Sequence, residues 1–407
     1  MQIRSFARPA IILVLGMLIG WVVLATTMDQ VFARRAPAIA LWWNPNSAEA
    51  NVWAADALLK AGNLPGVRSK IAKYADRSQR RQPLNPGAAR LLGVVAASNG
   101  YGKRAEQLAH YSESMSRRDL ATQFWLIESN VTRGDIQSTL VHYNRALQTS
   151  VSGRNVLFPI LAAASNDRDV WVPLAEVLAR RPQWWRPFLV ELVPKSTSPD
   201  ALYTFARRTG IDRRGQIDTG LLQSIEKRLV DLGAYDRSAE LYNRAHGLAS
   251  NAGAPLRNGN FESMAGFDPF EWNLKDEPDL AAVRQPSPIA GDGNALFLNA
   301  ANGRGGDVAV QLMILQPGRY TIGAKIGGVA GDPLAYPRLV IRCAEGREIF
   351  NMSFPPERDA GVAWHNEFVV PTGCKAQRIV LQASSALDSS DMTPWIDTIA
   401  IQPQRDR

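Results

Sequence analysis

Two stretches of the chain superimpose without a gap at a spacing of 34 residues: "LLGVVAASNGYGKRAEQLAHY" from Leu91 and "WLIESNVTRGDIQSTLVHYNRAL" from Trp125. The alignment sets Gly100 against Gly134, Ala105 against Thr139 and Leu92 against Leu126. A fixed period of this size constrains the fold more than composition does. Each unit is a pair of helices that cannot bury its apolar face alone, so neighbouring units must stack into an array. Glycine at the turn ends one helix by adopting positive φ, and small side chains let the partner helix approach.

These residues resemble the tetratricopeptide repeat. Leu92 and Gly93 stand at its Leu-Gly pair, Gly100 at the turn between helices and Ala105 at the small contact on the second helix. The next unit has Gly134 at the turn, Tyr143 at the aromatic position and Ala146 at the later small position. The resemblance is strongest over residues 86 to 150. "YNRA" returns at 242 to 245 behind Gly233, and a degenerate unit runs through "NVWAADALLKAGNLPGVRSKI" with Gly62 at its turn. Thr139 and Ser238 stand where alanine is expected, and residues 155 to 215, with "RRPQWWRP", read as irregular helix pairs. The resemblance implies a helical repeat domain over residues 38–250 whose curved surface holds a protein partner.

Ahead of this array, residues 10 to 28 carry no charge and at ~1.5 Å per helical residue reach roughly 28 Å, the depth of a bilayer core. We read residues 1–33 as a single transmembrane anchor. A cleaved signal peptide is the alternative, although "QVFARRAP" offers a poor cleavage site. Arg4 and Arg8 precede the span, and Asp29, Arg34 and Arg35 follow it, so flanking charge discriminates weakly. A first apolar segment behind a short basic start favours an inside amino terminus and export of the rest. The expected location is the bacterial inner membrane, single-pass, with the bulk in the periplasm.

From Asn258 onward the pattern changes to short runs split by turn residues: "NALFLNA", "DVAVQLMIL", "GRYTIGAKI", "RLVIRCA", "EIFNMSF", "HNEFVV", "RIVLQA" and "WIDTIAI". Such runs predict an antiparallel β-sandwich over residues 255–407. "NGNFES" is read as a turn plus its first strand and "FDPFEWNL" as its second. The whole chain is thus expected to be multidomain, α plus all-β.

"NGNFE", "FEWNL", "LQPGRYTIGAKI" and "PWIDTIAI" together resemble the carbohydrate-binding-module type of jelly roll, the galactose-binding-like fold. That resemblance implies a structural calcium, for which Glu262 and Asp397 are the candidates; the alternative is two acids satisfied by turn amides. It also implies glycan binding. Pyranose stacking needs aromatic faces, for which Trp272, Trp364 and Trp395 are available, with Asn273, Asn299, Asn302 and Asp307 as polar neighbours. Trp272, which begins an apolar strand, is read first as core and only second as a ligand, whereas for Trp364 and Trp395 the two readings stand level. The pair "RLVIRC…VVPTGCKAQRIVLQ" looks like a variant appended to helical-repeat envelope proteins of proteobacteria, often in exopolysaccharide contexts. It favours a bridge between neighbouring strands through Cys343 and Cys374; two buried thiols are the other reading.

The net charge of +8 hides an asymmetry: residues 34 to 250 carry +11 and residues 251 to 407 carry −4. A basic helical part beside a membrane fits anionic headgroups, an acidic polymer or a solvated arginine-rich surface. No nucleic-acid-binding module is recognisable, and an exported chain lies in the wrong compartment for one. The four histidines match no metal spacing, and no nucleophile elbow, phosphate loop or dinucleotide fingerprint is present. The chain is therefore read as non-catalytic, without a cofactor apart from the calcium. It is taken as a scaffold in assembly or export of a surface polysaccharide, the helical part for a protein and the sandwich for glycan. A glycan-processing enzyme or accessory subunit, and a structural envelope component without sugar binding, are the alternatives.

Overall fold

The computed structural model describes residues 4–213, 215, 218–249, 255–264, 266–357, 361–385 and 393–404. Packing divides the chain into two compact units, residues 1–161 with 182–184, and residues 162–181 with 185–407.

The first unit begins with α1 (Arg4–Phe32). Among the described residues, Ile12–Phe32 is the one stretch of helix long and apolar enough to cross a membrane, and none of it is buried in protein. A turn leads into the short α2 (Pro37–Trp43), and helices then come in pairs: α3 (Ala48–Lys60) with α4 (Leu64–Arg81), α5 (Pro86–Ser98) with α6 (Gly102–Met115), and α7 (Leu120–Thr132) with α8 (Ile136–Thr149). Asn85, Asp119 and Asp135 cap their helices by accepting from backbone N–H groups in the first turn. Gly100 and Gly134 close the two predicted turns with φ of +80° and +72°. The Leu-Gly pair also meets its expected partner: a side chain at Gly93 would lie 3.3 Å from the carbonyl of Ala105. Ala105, Tyr143 and Ala146 are buried, whereas Leu92 is half-buried. Thr139 fits the alanine position because its hydroxyl donates to the carbonyl of Asp135 at 2.7 Å, leaving no unpaired polar atom. The N-terminal part is thus helical throughout, with helix pairs joined at the predicted glycines.

α9 (Val151–Ala164) crosses from the first unit into the second, and carries Pro159 within it. The second unit continues with α10 (Arg168–Ala179), α11 (Trp185–Leu192), α12 (Pro199–Thr209), α13 (Thr219–Asp231) and α14 (Tyr235–Ala245). Pro173 inside α10 accounts for part of the irregular patterning of residues 155 to 215.

The strands follow in the same unit: β1 (Asn273–Leu274), β2 (Asp276–Glu277), β3 (Leu280–Pro286), β4 (Asn294–Ala300), β5 (Gly305–Met313), β6 (Gly318–Gly327), β7 (Arg338–Cys343), β8 (Glu348–Ser353), β9 (Val362–Val370), β10 (Gln377–Ser384) and β11 (Trp395–Pro403). They form a five-stranded sheet, β1-β5-β10-β7-β8, and a six-stranded sheet, β2-β3-β4-β11-β6-β9, with antiparallel pairings. The inner faces meet in a core to which Leu296, Ile322, Ile341, Ile379 and Ile396 contribute fully buried side chains. Each is worth about 1.5–3 kcal/mol of burial.

The first expected strand is absent. Residues 256 to 264 form an irregular entry in which Asn258 and Phe261 take positive φ, +47° and +52°. "FDPFEWNL" is a turn that becomes strand only at Asn273. The entry is still core: Phe261 and Trp272 are 2% and 1% exposed, with ring centroids 5.6 Å apart. Cys343 and Cys374 form a disulfide with Cα atoms 5.4 Å apart. It joins the end of β7 to the turn leading into β10, the strand paired with β7, so the expected bridge forms between neighbouring strands at their ends.

Candidate functional site

Strand alternation builds a groove on the outer face of the five-stranded sheet. In β7 and β10, Leu339, Ile341, Ile379 and Leu381 belong to the core, so Arg342, Arg378 and Val380 face away from it. Val310 and Leu312 of β5 extend this floor, and Lys227, Val230 and Asp231 of α13 form a wall. The resulting space is about 690 Å³.

Its chemistry is charged. Arg378 and Arg342 stand directly opposite in the β10–β7 register. Like charges in that position oppose sheet pairing. Arg342 is partly compensated by Asp307 at 3.8 Å and Glu348 at 3.6 Å. Arg378 is exposed and makes no ion pair among the described residues. At the wall, Lys227 Nζ lies 2.6 Å from Asp268 Oδ2, and Asn273 Nδ2 donates to the same carboxylate at 3.1 Å. Gln382 Nε2 donates to Asp307 at 2.7 Å. The groove therefore presents guanidinium and amide donors over an apolar floor, an arrangement able to hold carboxylate, phosphate or hydroxyl groups.

Behind the wall lies an acid pocket. Glu226 of α13 is fully buried, and neither carboxyl oxygen has a hydrogen-bond partner among the described residues. Burial, then the charges of Asp268 and Glu271, push its pKa well above the usual carboxylate range. Tyr242 of α14 donates to Glu271 Oε1 at 2.8 Å, and burial followed by that bond raises the phenol pKa. The Arg257 guanidinium covers the Tyr242 ring at 4.9 Å.

The aromatic candidates do not assemble into a stacking platform. Trp272 is core and donates its indole N–H to the carbonyl of Asn258 at 3.1 Å. Trp395 is 3% exposed, its ring filling space left by two glycines: a side chain at Gly327 or Gly361 would come within 2.5 and 2.6 Å of it. Trp364 is half-buried at the edge of the core, with Phe350 edge-on at 6.0 Å. Burial thus removes Trp272 and Trp395 as sugar-facing rings. Asn302 sits in the β4–β5 turn, bonded to Asp279 at 2.9 Å. Of the glycan candidates, Asn273 and Asp307 line the groove. Arg342, Arg378 and Lys227 were missed. The signal for the two arginines was their place on the outward side of "RLVIRCA" and "QRIVLQA"; Lys227, on α13, had none in sequence.

The calcium candidates lie in one neighbourhood, but their donors do not fit a divalent ion. Glu262 accepts from the backbone N–H and side-chain amide of Asn294 at 2.7 and 2.9 Å, which holds its pKa below the usual range. Asp397 is 1% exposed and accepts from the Thr398 amide at 2.6 Å; burial raises its pKa, with the charges of Asp292 and Glu262 adding to the rise. Lys325 stands opposite Asp397 across β6 and β11, and its ammonium lies 2.6 Å from Asp292. An amine already supplies the positive charge. Among the described residues the one metal-like grouping is Cys343, Glu345 and Cys374, and its two sulfurs form the disulfide.

No family model matches the sequence, and no curated protein matches it. Solved structures are similar to part of it. One titled as a CBM4 module has 14% identity over 37% of this chain and 99% of its own, with a TM-score of 0.28. The CBM22-1 xylan-binding domain from Paenibacillus barcinonensis Xyn10C has 11% identity over 36% of this chain and 93% of its own, with a TM-score of 0.27. The tailspike protein 4 domain of bacteriophage CBA120 has 14% identity and a TM-score of 0.29, and the match spans 37% of this chain and 21% of the tailspike. The structural neighbours of the C-terminal β part thus include carbohydrate-binding modules, at low identity.

Proposed function

We propose that this chain is a non-catalytic, single-span envelope protein whose sandwich holds an acidic surface polysaccharide in the groove over Arg342 and Arg378. Its helix pairs, read as tetratricopeptide-like units, hold a protein partner, and the bulk of the chain lies in the periplasm, serving assembly or export of that polysaccharide. The observation that carries the reading is the Arg378–Arg342 cross-strand pair, a like-charge juxtaposition that an anionic ligand would neutralise. The Cys343–Cys374 bond agrees with an oxidising compartment. The acids of the groove, Asp268 and Asp307, are held by Lys227, Asn273 and Gln382, which suits a binding role better than proton transfer.

Affinity electrophoresis of the full chain in mild detergent tests this. Gels containing alginate should retard the protein, dextran gels should not, and Arg378→Ala should lose roughly tenfold in alginate affinity, the size of one charge-assisted contact. Equal mobility in all gels would dismiss the groove as a glycan site. Turnover of an oligosaccharide by the purified chain would overturn the non-catalytic reading.

A further inference from the structure

The short helix α2 leaves one face without a partner, and its position says what covers it. After Phe32 the chain reverses, and the ring of Trp43 comes to 5.1 Å from that of Trp21. Trp21 lies deep in the apolar run, roughly 16 Å along α1 from Phe32. The return is clasped at its polar end: Asn44 Nδ2 donates to Asp29 Oδ2 at 3.4 Å, and the Ser47 hydroxyl donates to Asp29 Oδ1. Ala40 is buried with Ala33 and Ala50, and Leu41 packs against them. That contact occupies one side of α2. The other side carries Ala38, Ile39 and Trp42; Trp42 is 72% exposed and Ile39 46%. Trp42 is further fixed edge-on against Trp43, with centroids 4.9 Å apart.

α2 contains no charged residue, and its exposed Trp42 meets Trp43, which in turn meets Trp21 on the unburied apolar wall of α1. Arg34 and Arg35 sit at the turn, Arg35 exposed and Arg34 stacked over Trp53 at 5.1 Å. A tryptophan with an aliphatic neighbour at the end of an apolar helix, beside arginines, matches the composition of a membrane–water boundary.

We propose that α2 is an interfacial membrane element. With α1 across the bilayer, Ala38, Ile39 and Trp42 enter the boundary between headgroups and acyl chains, and Arg35 meets lipid phosphate. The inference rests on α1 being retained as a span. Its consequence is that two elements clasped through Asp29 grip the bilayer and fix the direction in which α3 leaves it. The partner surface is a bilayer containing anionic phospholipid.

The native cysteines are paired, so a single engineered cysteine carries a spin label cleanly. Labels at Leu18→Cys, Ile39→Cys and Lys103→Cys in the full chain, reconstituted in phosphatidylcholine–phosphatidylglycerol vesicles, report depth as oxygen against water-soluble nickel-chelate accessibility. The Ile39→Cys label should favour oxygen by about threefold or more over Lys103→Cys, as expected for a face buried ~5–10 Å in the boundary. An Ile39→Cys label as nickel-accessible as Lys103→Cys, with Leu18→Cys still deep, overturns the interfacial helix and leaves the anchor standing. A water-exposed Leu18→Cys label overturns both. Protection at Ile39→Cys accompanied by spin–spin broadening assigns the face to a second copy of the chain and equally overturns the proposal.

Discussion

Arg90 Nη2 lies 2.9 Å from Oδ1 and 2.8 Å from Oδ2 of Asp56, a bidentate pair that ties α5 to α3. The same guanidinium donates from Nε to Asp119, the cap of α7, at 3.1 Å. Successive helix pairs are thus joined by one nearly buried cation, whose side chain is 6% exposed. Burial alone would lower its pKa, but the hydrogen bonds and charges of Asp56 and Asp119 outweigh it and hold the guanidinium ionised. Removing one partner of such a pair strands the other charge. Arg90→Met is expected to destabilise the helical unit by about 3 kcal/mol in urea unfolding followed by circular dichroism. Neutralising Asp56 and Asp119 in the same chain should recover part of that loss, and no loss for the single variant would show the pair to be solvated.

Glu226 sets a pH dependence whose sign follows from linkage. Its carboxyl has an ordinary pKa of 4.5 when unfolded and a raised one when folded, so folding takes up a proton between those two values. The associated stability is full below the unfolded value and declines as pH rises towards the folded one. Glu226→Gln keeps the volume and removes the titration. Its thermal midpoint is expected to exceed that of the wild type near neutral pH and to lack the wild type's decline as pH rises above 4.5. Parallel curves for the two proteins would sink the assignment.

Lys325 makes the opposite prediction for metal. With an ammonium between Asp292 and Asp397, chelation by EDTA should leave the thermal midpoint of the wild type unchanged. Lys325→Met leaves the carboxylates without their cation, so that variant should be less stable and should regain stability on adding calcium, an ion suited to hard oxygen donors. A wild-type midpoint that falls with EDTA would restore the divalent site.

The disulfide closes a segment with a sequence separation of 31. Replacing both Cys343 and Cys374 by serine should cost about 3–4 kcal/mol in the stability of the second unit, the size expected for a loop of that length. A reduced wild type should unfold with the same midpoint as the double variant, measured by intrinsic fluorescence.

A strand run with sharp alternation, "GRYTIGAKI", was readable because burial on one face imposes a period of two. The glycine turns at Gly100 and Gly134 were readable because few other residues accept their backbone. β3 escaped notice because "LAAVRQP" mixes small, polar and proline residues without a period. The entry segment misled for a related reason. "NGNFE" has strand-like composition, yet Phe261 reaches the core from a positive-φ turn, which side-chain pattern does not reveal. The groove was illegible because its residues come from helix and sheet: Lys227 and Arg378 are brought together only by packing. Hydrophobicity could not separate a buried Trp395 from an exposed one, since the glycines that admit its ring lie far away in sequence.

The placement of α13 and α14 has a practical side. Tyr242 sits among Phe267, Phe270 and Glu271, and Lys227 closes on Asp268, so the chain changes character near residue 250 where the packed molecule has no seam. A fragment starting at residue 255 would carry every strand and still lack one bank of the groove. It would also display two phenylalanines that the intact protein hides. The smallest piece that preserves this surface reaches back at least to Thr219, which makes the last helices part of the sandwich's packed unit in all but sequence.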